Sequence, residues 1–353
     1  MFINLTPSRK SKEKIRICFF AHVYDKRILE LVEFYNNDIN ILKELGFEVI
    51  IATKIWEIPL DCDLYYVWWW ATGIQALLVA RLLGKSIIMV GNVRYSKNVP
   101  PGFPHASRLK RLCLRASWHY ATAILTTSVF EHNYVADYRK NSIYMVYHGI
   151  NTERYKPGAE SNRENLLFTI CNLYSENAKR KRVKETIEAF ALIARRYPDY
   201  KLVVAGGSAG YKDKIKEQLI NITERLGIKN RVVFTGSISL AEKLRLYQIA
   251  KVFVQPSVYE GFGLAIAEAM ACCTPVIVCR TSAIPEVVGD CGIYVSGTPE
   301  SIAEGLVKLL DNETLRKNLA SGAKQRIQEK FTYEKRKVAI GKIISEVLNQ
   351  EMV

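Results

Sequence analysis

Glu260 and Glu268 bracket the stretch EGFGLAIAE, two carboxylates set around a glycine-punctuated turn and the start of a small, apolar helix. A carboxylate accepts hydrogen bonds and can orient hydroxyl groups, and Gly261 and Gly263 allow backbone to come close to a ligand. The helix should begin near Gly263 or Leu264. Its first amides lack intrahelical partners, so they can receive a phosphate or a sugar hydroxyl. Glu268 then lies about 6–7 Å beyond the helix start by helical rise, whereas Glu260 precedes it. Two carboxylates so placed meet different parts of one elongated ligand, and a sugar nucleotide has that form. Glu260 would take the hydroxyls of the sugar, the helix start the diphosphate, and Glu268 the ribose diol. Local sequence alone equally suits a solvated turn followed by an amphipathic helix with its glutamate in water.

Such a turn needs a strand before it and a sheet behind it. KVFVQPS reads as that strand, ended by Pro256, and TPVIVC as the next. Upstream, LLFTICNL (166–173), a helix over 183–196, KLVVAGG, DKIKEQLINITERLG, RVVFTG and LAEKLRLYQIA alternate strand with helix. The first half keeps the same rhythm: IRICFF, a helix over 28–45 closed by Gly46, FEVIIAT, DLYYVWWW, GIQALLVARLLG, KSIIMVG, and ATAILTTS after a Pro/Gly loop at 98–107. Strands of buried composition alternating with helices predict an α/β protein with two mostly parallel sheets. The expected domains are 1–158 and 159–335, with 336–353 a helix returning to the first, and further helices after Pro299 and Thr332. Strand carboxyl ends facing a cleft between two such sheets are where ligands bind. The first residues read as a polar arm without the long apolar region of a signal peptide.

The 353 residues exceed one comfortable core, and no apolar run is long enough to span a membrane, Ile74–Val90 being broken by Arg81 and Lys85. The eight cysteines are scattered, with no CxxC pair, as expected of buried thiols in a reducing, cytoplasmic setting. The net charge is +15, and between Asp63 and Glu131 there is no acidic residue at all. In PHASRLKRLCLRASWHY, Leu109, Leu112, Cys113 and Ala116 recur at helical spacing and are expected inside, with Arg108, Arg111 and Arg115 on the other side. Together with Lys110 they make a basic face suited to an anionic membrane surface or a phosphate-bearing acceptor, and equally to plain solvation. No RNA- or DNA-reading motif supports nucleic acid as the partner. VWWW at 67–70 reads as a buried or half-buried strand that could also line a groove.

The stretch SVYEGFGLAIAEAMACCTPVI resembles the glutamate–seven residues–glutamate signature of family 4 of the retaining glycosyltransferases, which have the GT-B architecture of two Rossmann-like domains facing across a central cleft. YHGINTERYKP, LLFTICNLYSENAKRKRVKETIEAF, LVVAGG, VVFTGSIS and TSAIPEVVGDCGIYV are similar to further landmarks of that family in order, so the resemblance covers about 120–335. It implies a nucleoside-diphosphate sugar as donor (UDP-, GDP- or ADP-linked) and a glycan, lipid-linked or small hydroxyl acceptor. By position, Glu260 and Lys181 become the catalytic pair, with Lys181 neutralising the diphosphate. Glu268, Gly261, Phe262, Gly263, Leu264, Asn172, Gly206, Gly207, Gly236 and Glu286 border the donor.

The chain departs from the family in places. Asn172 stands where the family has an arginine, leaving Lys179, Arg180 or Arg182 to supply the charge. Thr281, Ser282 and Ala283 stand where glycines are commoner. AHVYDK replaces a glycine-rich loop after the first strand, and Gly91 or Asn92 replaces a histidine after the fourth; His22, Asn92, Arg94 and His119 are the substitutes available. The resemblance implies transfer with retention by front-face substitution, without cofactor or metal, and domain closure on the donor. The competing readings are a sugar-nucleotide 2-epimerase-like isomerase and a non-catalytic protein binding sugar nucleotide or anionic lipid.

Overall fold

The computed structural model describes residues 14–92, 106–159, 162–208, 210 and 214–349. The polar arm, most of the 98–107 loop, Arg94 and Lys97 lie outside the described residues. Contacts divide the chain into two compact units, one of 1–91, 112–125 and 337–353, the other of 92–111 and 126–336.

The first sheet comprises β1 (Arg16–Ala21), β2 (Glu48–Ala52), β3 (Leu64–Trp68), β4 (Ser86–Val90), β5 (Ala123–Thr126) and β6 (Ile143–Met145), in the order β2-β1-β3-β4-β5-β6. β1 pairs in parallel with β2 and β3, β3 with β4, and β4 with β5. Every residue of β3 and β4 is buried, the mark of strands covered by helices on both faces. The helix expected over 28–45 is two pieces, Ile28–Leu31 and Glu33–Glu44, with Val32 extended between them. The second piece carries Asp38 into the core, where it accepts hydrogen bonds from Tyr66 Oη (2.9 Å) and Trp68 Nε1 (3.1 Å).

The basic helix runs Arg108–Tyr120, and its inner face is not the one the leucine spacing suggested. Leu109 and Leu112 are 71% and 64% exposed and Cys113 is half-buried; the buried stripe is Leu114, Ser117 and Trp118. Trp118 meets the Trp70 ring edge-on at 5.8 Å, and Ser117 Oγ donates to Trp70 O (2.5 Å). The larger apolar surface of the tryptophan sets the face, and the two leucines turn outward beside the arginines.

The second sheet comprises β7 (Glu164–Ile170), β8 (Lys201–Ala205), β9 (Val232–Gly236), β10 (Ala250–Gln255), β11 (Val276–Cys279) and β12 (Ile293–Val295), all parallel, in the order β12-β11-β10-β7-β8-β9. Alternate strand residues feed two apolar clusters. Phe168 and Phe253 join helix Leu264–Ala271 on one face, while Leu167, Val252 and Val254 join helices Val183–Ile193 and Pro299–Asp311 on the other. Residues 126–158, expected with the first domain, make their contacts in the second unit. Arg336 Nη1 donates to Val146 O and Tyr147 O (3.0 Å each), and Ile150 bridges to Thr332.

Candidate functional site

In the second sheet the chain runs from β7 outward through β8 and β9, then returns to place β10 on the other side of β7. Strand order therefore reverses between β7 and β10, and the crevice beyond their carboxyl ends is where open α/β sheets bind ligands. β10 leads directly into Pro256–Gly263, and β7 into 171–182, so the glutamate turn and the basic segment emerge side by side.

Glu260 is almost fully buried there. Its Oε2 meets Arg180 Nη1 at 2.9 Å, its Oε1 meets Lys181 Nζ at 3.3 Å, and Ser257 Oγ donates to Oε1 at 2.7 Å. Burial pushes its carboxyl up, but Arg180, Lys181 and Ser257 together outweigh that and hold it down at about 2. Glu260 is thus an anion at neutral pH, able to accept hydrogen bonds and unable to give a proton. Arg180 also donates to Tyr259 O (2.6 Å) and to Asn177 Oδ1 (2.7 Å), and its carbonyl accepts from Val258 N (2.8 Å). The Gln255 amide, oriented to satisfy both its ends, accepts from Lys181 Nζ at 2.9 Å.

Two cations and one carboxylate leave this low-dielectric cluster positive, which is the electrostatic setting for an anionic ligand. Of the three cations weighed for the charge missing at Asn172, Arg180 is the one that reaches the site. Lys179 is exposed, and Arg182, with a left-handed backbone (φ 53°), turns to Cys279 Sγ and Ser296 O (3.0 Å each).

Gly263 begins helix Leu264–Ala271 with φ 99°, and Gly261, Phe262 and Leu264 lie in the same turn, with the Phe262 ring buried behind it against Tyr147, His148 and Phe331. Ser282 holds the other side. Its hydroxyl accepts from Glu260 N (2.9 Å), and its own backbone takes φ 45°, the conformation that explains why glycine suits this position. Thr281 Oγ1 donates to Ser257 O (3.0 Å).

Glu268 is buried on the same helix and ion-paired with Lys243 (3.1 Å) while accepting from Tyr247 Oη (2.9 Å), two partners that the sequence did not single out. Asn172, Gly206, Gly207 and Gly236 come together at the carboxyl ends of β7–β9. Leu173 N donates to Gly207 O (2.7 Å) and Gly206 N to Gly236 O (2.9 Å). Gly206 has φ 125°, and a Cβ there would sit 1.7 Å from Cys171 O, so no other residue fits. Glu286 is engaged elsewhere. Its carboxylate accepts from Val129 N (2.7 Å) and Phe130 N (2.9 Å) at the start of helix Val129–Ala136, and from Tyr147 Oη (3.4 Å). Of the substitutes for the family histidine, His22 and His119 are exposed, and Asn92 lies against Gly261.

Residues 159–326 match the family described as glycosyl transferases group 1. An uncharacterized glycosyltransferase of Methanocaldococcus jannaschii, MJ1607, is 31% identical over 199 residues, 55% of this chain and 48% of that protein. N-acetyl-alpha-D-glucosaminyl L-malate synthase of Bacillus anthracis is 27% identical over 316 residues, 85% of this chain and 79% of that protein. The chain spans about half the length of several curated relatives that it matches. The solved structure of Anabaena Alr3699/HepE with UDP and glucose covers 94% of this chain and 100% of its own, with a TM-score of 0.78 at 16% identity. That likeness shows the fold, which is GT-B.

Proposed function

We propose, from the match of residues 159–326 to the glycosyl transferases group 1, that this chain transfers a hexosyl group from a nucleoside-diphosphate sugar to a hydroxyl acceptor, with retention of anomeric configuration. The observation that carries the reading is the pairing of Arg180 and Lys181 with Glu260 at the strand reversal of the second sheet. A diphosphate entering there takes over the two cations and the first amides of helix Leu264–Ala271. Glu260, held ionised, is released to accept hydrogen bonds from the sugar hydroxyls. Glu268 and the glycine-lined ends of β7–β9 take the nucleoside.

In the step itself the acceptor oxygen bonds to the anomeric carbon as the bond from that carbon to the phosphate oxygen breaks. The acceptor proton passes to the departing phosphate oxygen. Retention by this front-face route asks for no second carboxylate across the ring, and Arg180, Lys181 and the helix amides supply the charge stabilisation that a metal would otherwise give. A non-catalytic reading drew on Asn172 in place of an arginine, and Arg180 supplies that charge. The names of the relatives and of the UDP-bound neighbour support a nucleotide sugar as the donor class.

The exposed Leu109 and Leu112 beside Arg108, Lys110, Arg111 and Arg115 support peripheral attachment to an anionic membrane surface. Among the described residues no helix is long and apolar enough to cross a membrane.

The activity is tested by incubating the protein with UDP-, GDP- and ADP-sugars and following the released sugar by proton NMR. Slow hydrolysis of one donor, giving first the anomer of the donor, and lost in both Lys181→Ala and Glu260→Ala, is the expected result. Absence of turnover with every donor, or turnover indifferent to both substitutions, refutes it.

A further inference from the structure

Glu131 lies in the second unit, on helix Val129–Ala136, and is fully buried. A carboxyl group costs free energy to bury unless it is hydrogen-bonded, so packing alone would favour an apolar side chain there. The start of its helix is fixed. Ser128 Oγ accepts from Glu131 N (3.2 Å), and the Glu286 carboxylate accepts from Val129 N (2.7 Å) and Phe130 N (2.9 Å), so the first three amides are all engaged. From that base the Glu131 carboxyl group accepts from Thr127 Oγ1 (3.0 Å) through Oε2 and from Tyr259 Oη (3.1 Å) through Oε1.

Tyr259 immediately precedes Glu260 and is held at both ends. Its hydroxyl goes to Glu131, and its carbonyl accepts from Arg180 Nη1 (2.6 Å). The Phe130 ring meets its ring edge-on at 6.1 Å. Glu260 N in turn donates to Ser282 Oγ (2.9 Å). On the far side of Glu260, the chain at Gly261 runs close to the same carboxyl group. A Cβ there would lie 3.0 Å from Glu131 Oε1 and 3.0 Å from Asn92 Nδ2, which explains the glycine. Glu131 thus backs the turn on both sides of Glu260, through a hydrogen bond to Tyr259 and close packing at Gly261. The bond to Tyr259 spans 128 residues of sequence, so no local pattern announces it.

We propose that Glu131 is a positioning residue for glycosyl transfer, holding Tyr259 so that the Glu260 carboxylate is presented to the sugar hydroxyls. The inference rests on the glycosyl-transfer reading and deepens it by adding a buried carboxyl group that acts through Tyr259. The cations assigned to the diphosphate arrive on a different segment, helix Ser175–Arg180 and its C-cap Lys181, and Arg180 is also held by Asn177 Oδ1 (2.7 Å). Loss of Glu131 therefore disturbs the sugar end of the donor and spares the diphosphate end. A catalytic group must keep its place to within about 0.5 Å, so a side chain that supports it matters even where the fold survives without it.

The test measures calorimetric affinity for UDP, GDP and ADP and for UDP-glucose, UDP-N-acetylglucosamine, GDP-mannose and ADP-glucose, together with donor hydrolysis. It compares the unaltered protein with Glu131→Ala, Glu131→Gln, Tyr259→Phe and the variant combining Glu131→Ala with Tyr259→Phe. Affinity for the nucleoside diphosphate is expected to stay within about twofold throughout. In Glu131→Ala and Tyr259→Phe, hydrolysis should fall about tenfold, and the sugar nucleotide should bind more weakly relative to its diphosphate. Glu131→Gln keeps an acceptor for Tyr259 Oη and should restore most of the loss. The combined variant should be no worse than the more affected single one, since both substitutions remove the same hydrogen bond. A side chain that only supports the fold would lower both affinities together. That parallel loss, full hydrolysis by folded Glu131→Ala, or losses that multiply in the combined variant overturn the proposal. If Glu131→Ala does not fold, Tyr259→Phe decides, since it keeps the ring and must show the selective loss by itself. Failure of the unaltered protein to bind any of these nucleotides defeats the donor reading and the proposal with it, whereas turnover indifferent to Glu131 and Tyr259 defeats the proposal alone.

Discussion

Glu260 is a buried carboxylate kept charged by its neighbours, and its response to acid follows from that. A carboxyl lowered from the usual 4.5 to about 2 stabilises the fold fully above pH 4.5 and loses that contribution as pH falls from 4.5 to 2. Arg180→Met removes the nearest cation, so the carboxyl rises, the contribution present at neutral pH shrinks and less acid is needed to unfold the chain. We expect the acid-unfolding midpoint, followed by circular dichroism, to move upward, with a stability deficit at neutral pH of about 2–3 kcal/mol. An unchanged midpoint would show that Lys181 and Ser257 hold Glu260 without help. Glu260 and Lys181 were singled out through the family resemblance of the stretches that carry them, and the structure brings the two within 3.3 Å of each other. Arg180 was legible only as one of three candidates, since sequence does not say which basic side chain turns inward. Ser282 was hidden, reading as a departure from glycine while its backbone adopts the glycine conformation and its hydroxyl holds the turn. Lys243 and Tyr247 were hidden for a different reason: they reach Glu268 from a helix 25 and 21 residues upstream.

Among elements, the long strands and helices were legible from composition and alternation, and the short ones were not. Helices Ser175–Arg180 and Ile284–Val288 and strand β12 are too brief to show a period. The site nevertheless depends on the first of these, since Ser175–Arg180 delivers Arg180. Helix Arg108–Tyr120 shows how periodicity can mislead. It holds two candidate apolar stripes, and only packing against Trp70 decides that Trp118, not Leu109 and Leu112, goes inside. The outcome leaves leucines among arginines on the exposed side. If that face rests on a membrane, the protein should co-sediment with vesicles rich in anionic lipid and not with neutral ones. Leu109→Ser combined with Leu112→Ser should abolish co-sedimentation while leaving the melting temperature within about 2 °C, as exposed substitutions do. Equal sedimentation by the double variant would mean that this helix is not the contact.

Across the whole chain, both sheets share one plan, in which strand order reverses next to the first strand of each, and at the second sheet's reversal the side chains of Arg180, Lys181 and Glu260 gather beyond the strand ends. The net charge of +15 has a structural share that sequence could not reveal. Arg163 donates to the carbonyls of Tyr247, Ala250, Cys272 and Cys273, Arg231 to those of Ala194, Tyr197 and Tyr200, and Arg316 to those of Leu309 and Leu310. These guanidinium groups close helix and loop ends, whereas Arg180 and Lys181 pair with the buried carboxylate of Glu260. The most direct check of the donor site is calorimetric affinity for UDP, GDP and ADP, measured on the unaltered protein and on Lys181→Ala. The expected result is binding of one nucleoside diphosphate, weakened at least about tenfold in Lys181→Ala, as loss of one charge-assisted contact requires. Failure of the folded protein to bind any of the three, or equal affinity in Lys181→Ala, would contradict a diphosphate at the Glu260 cluster.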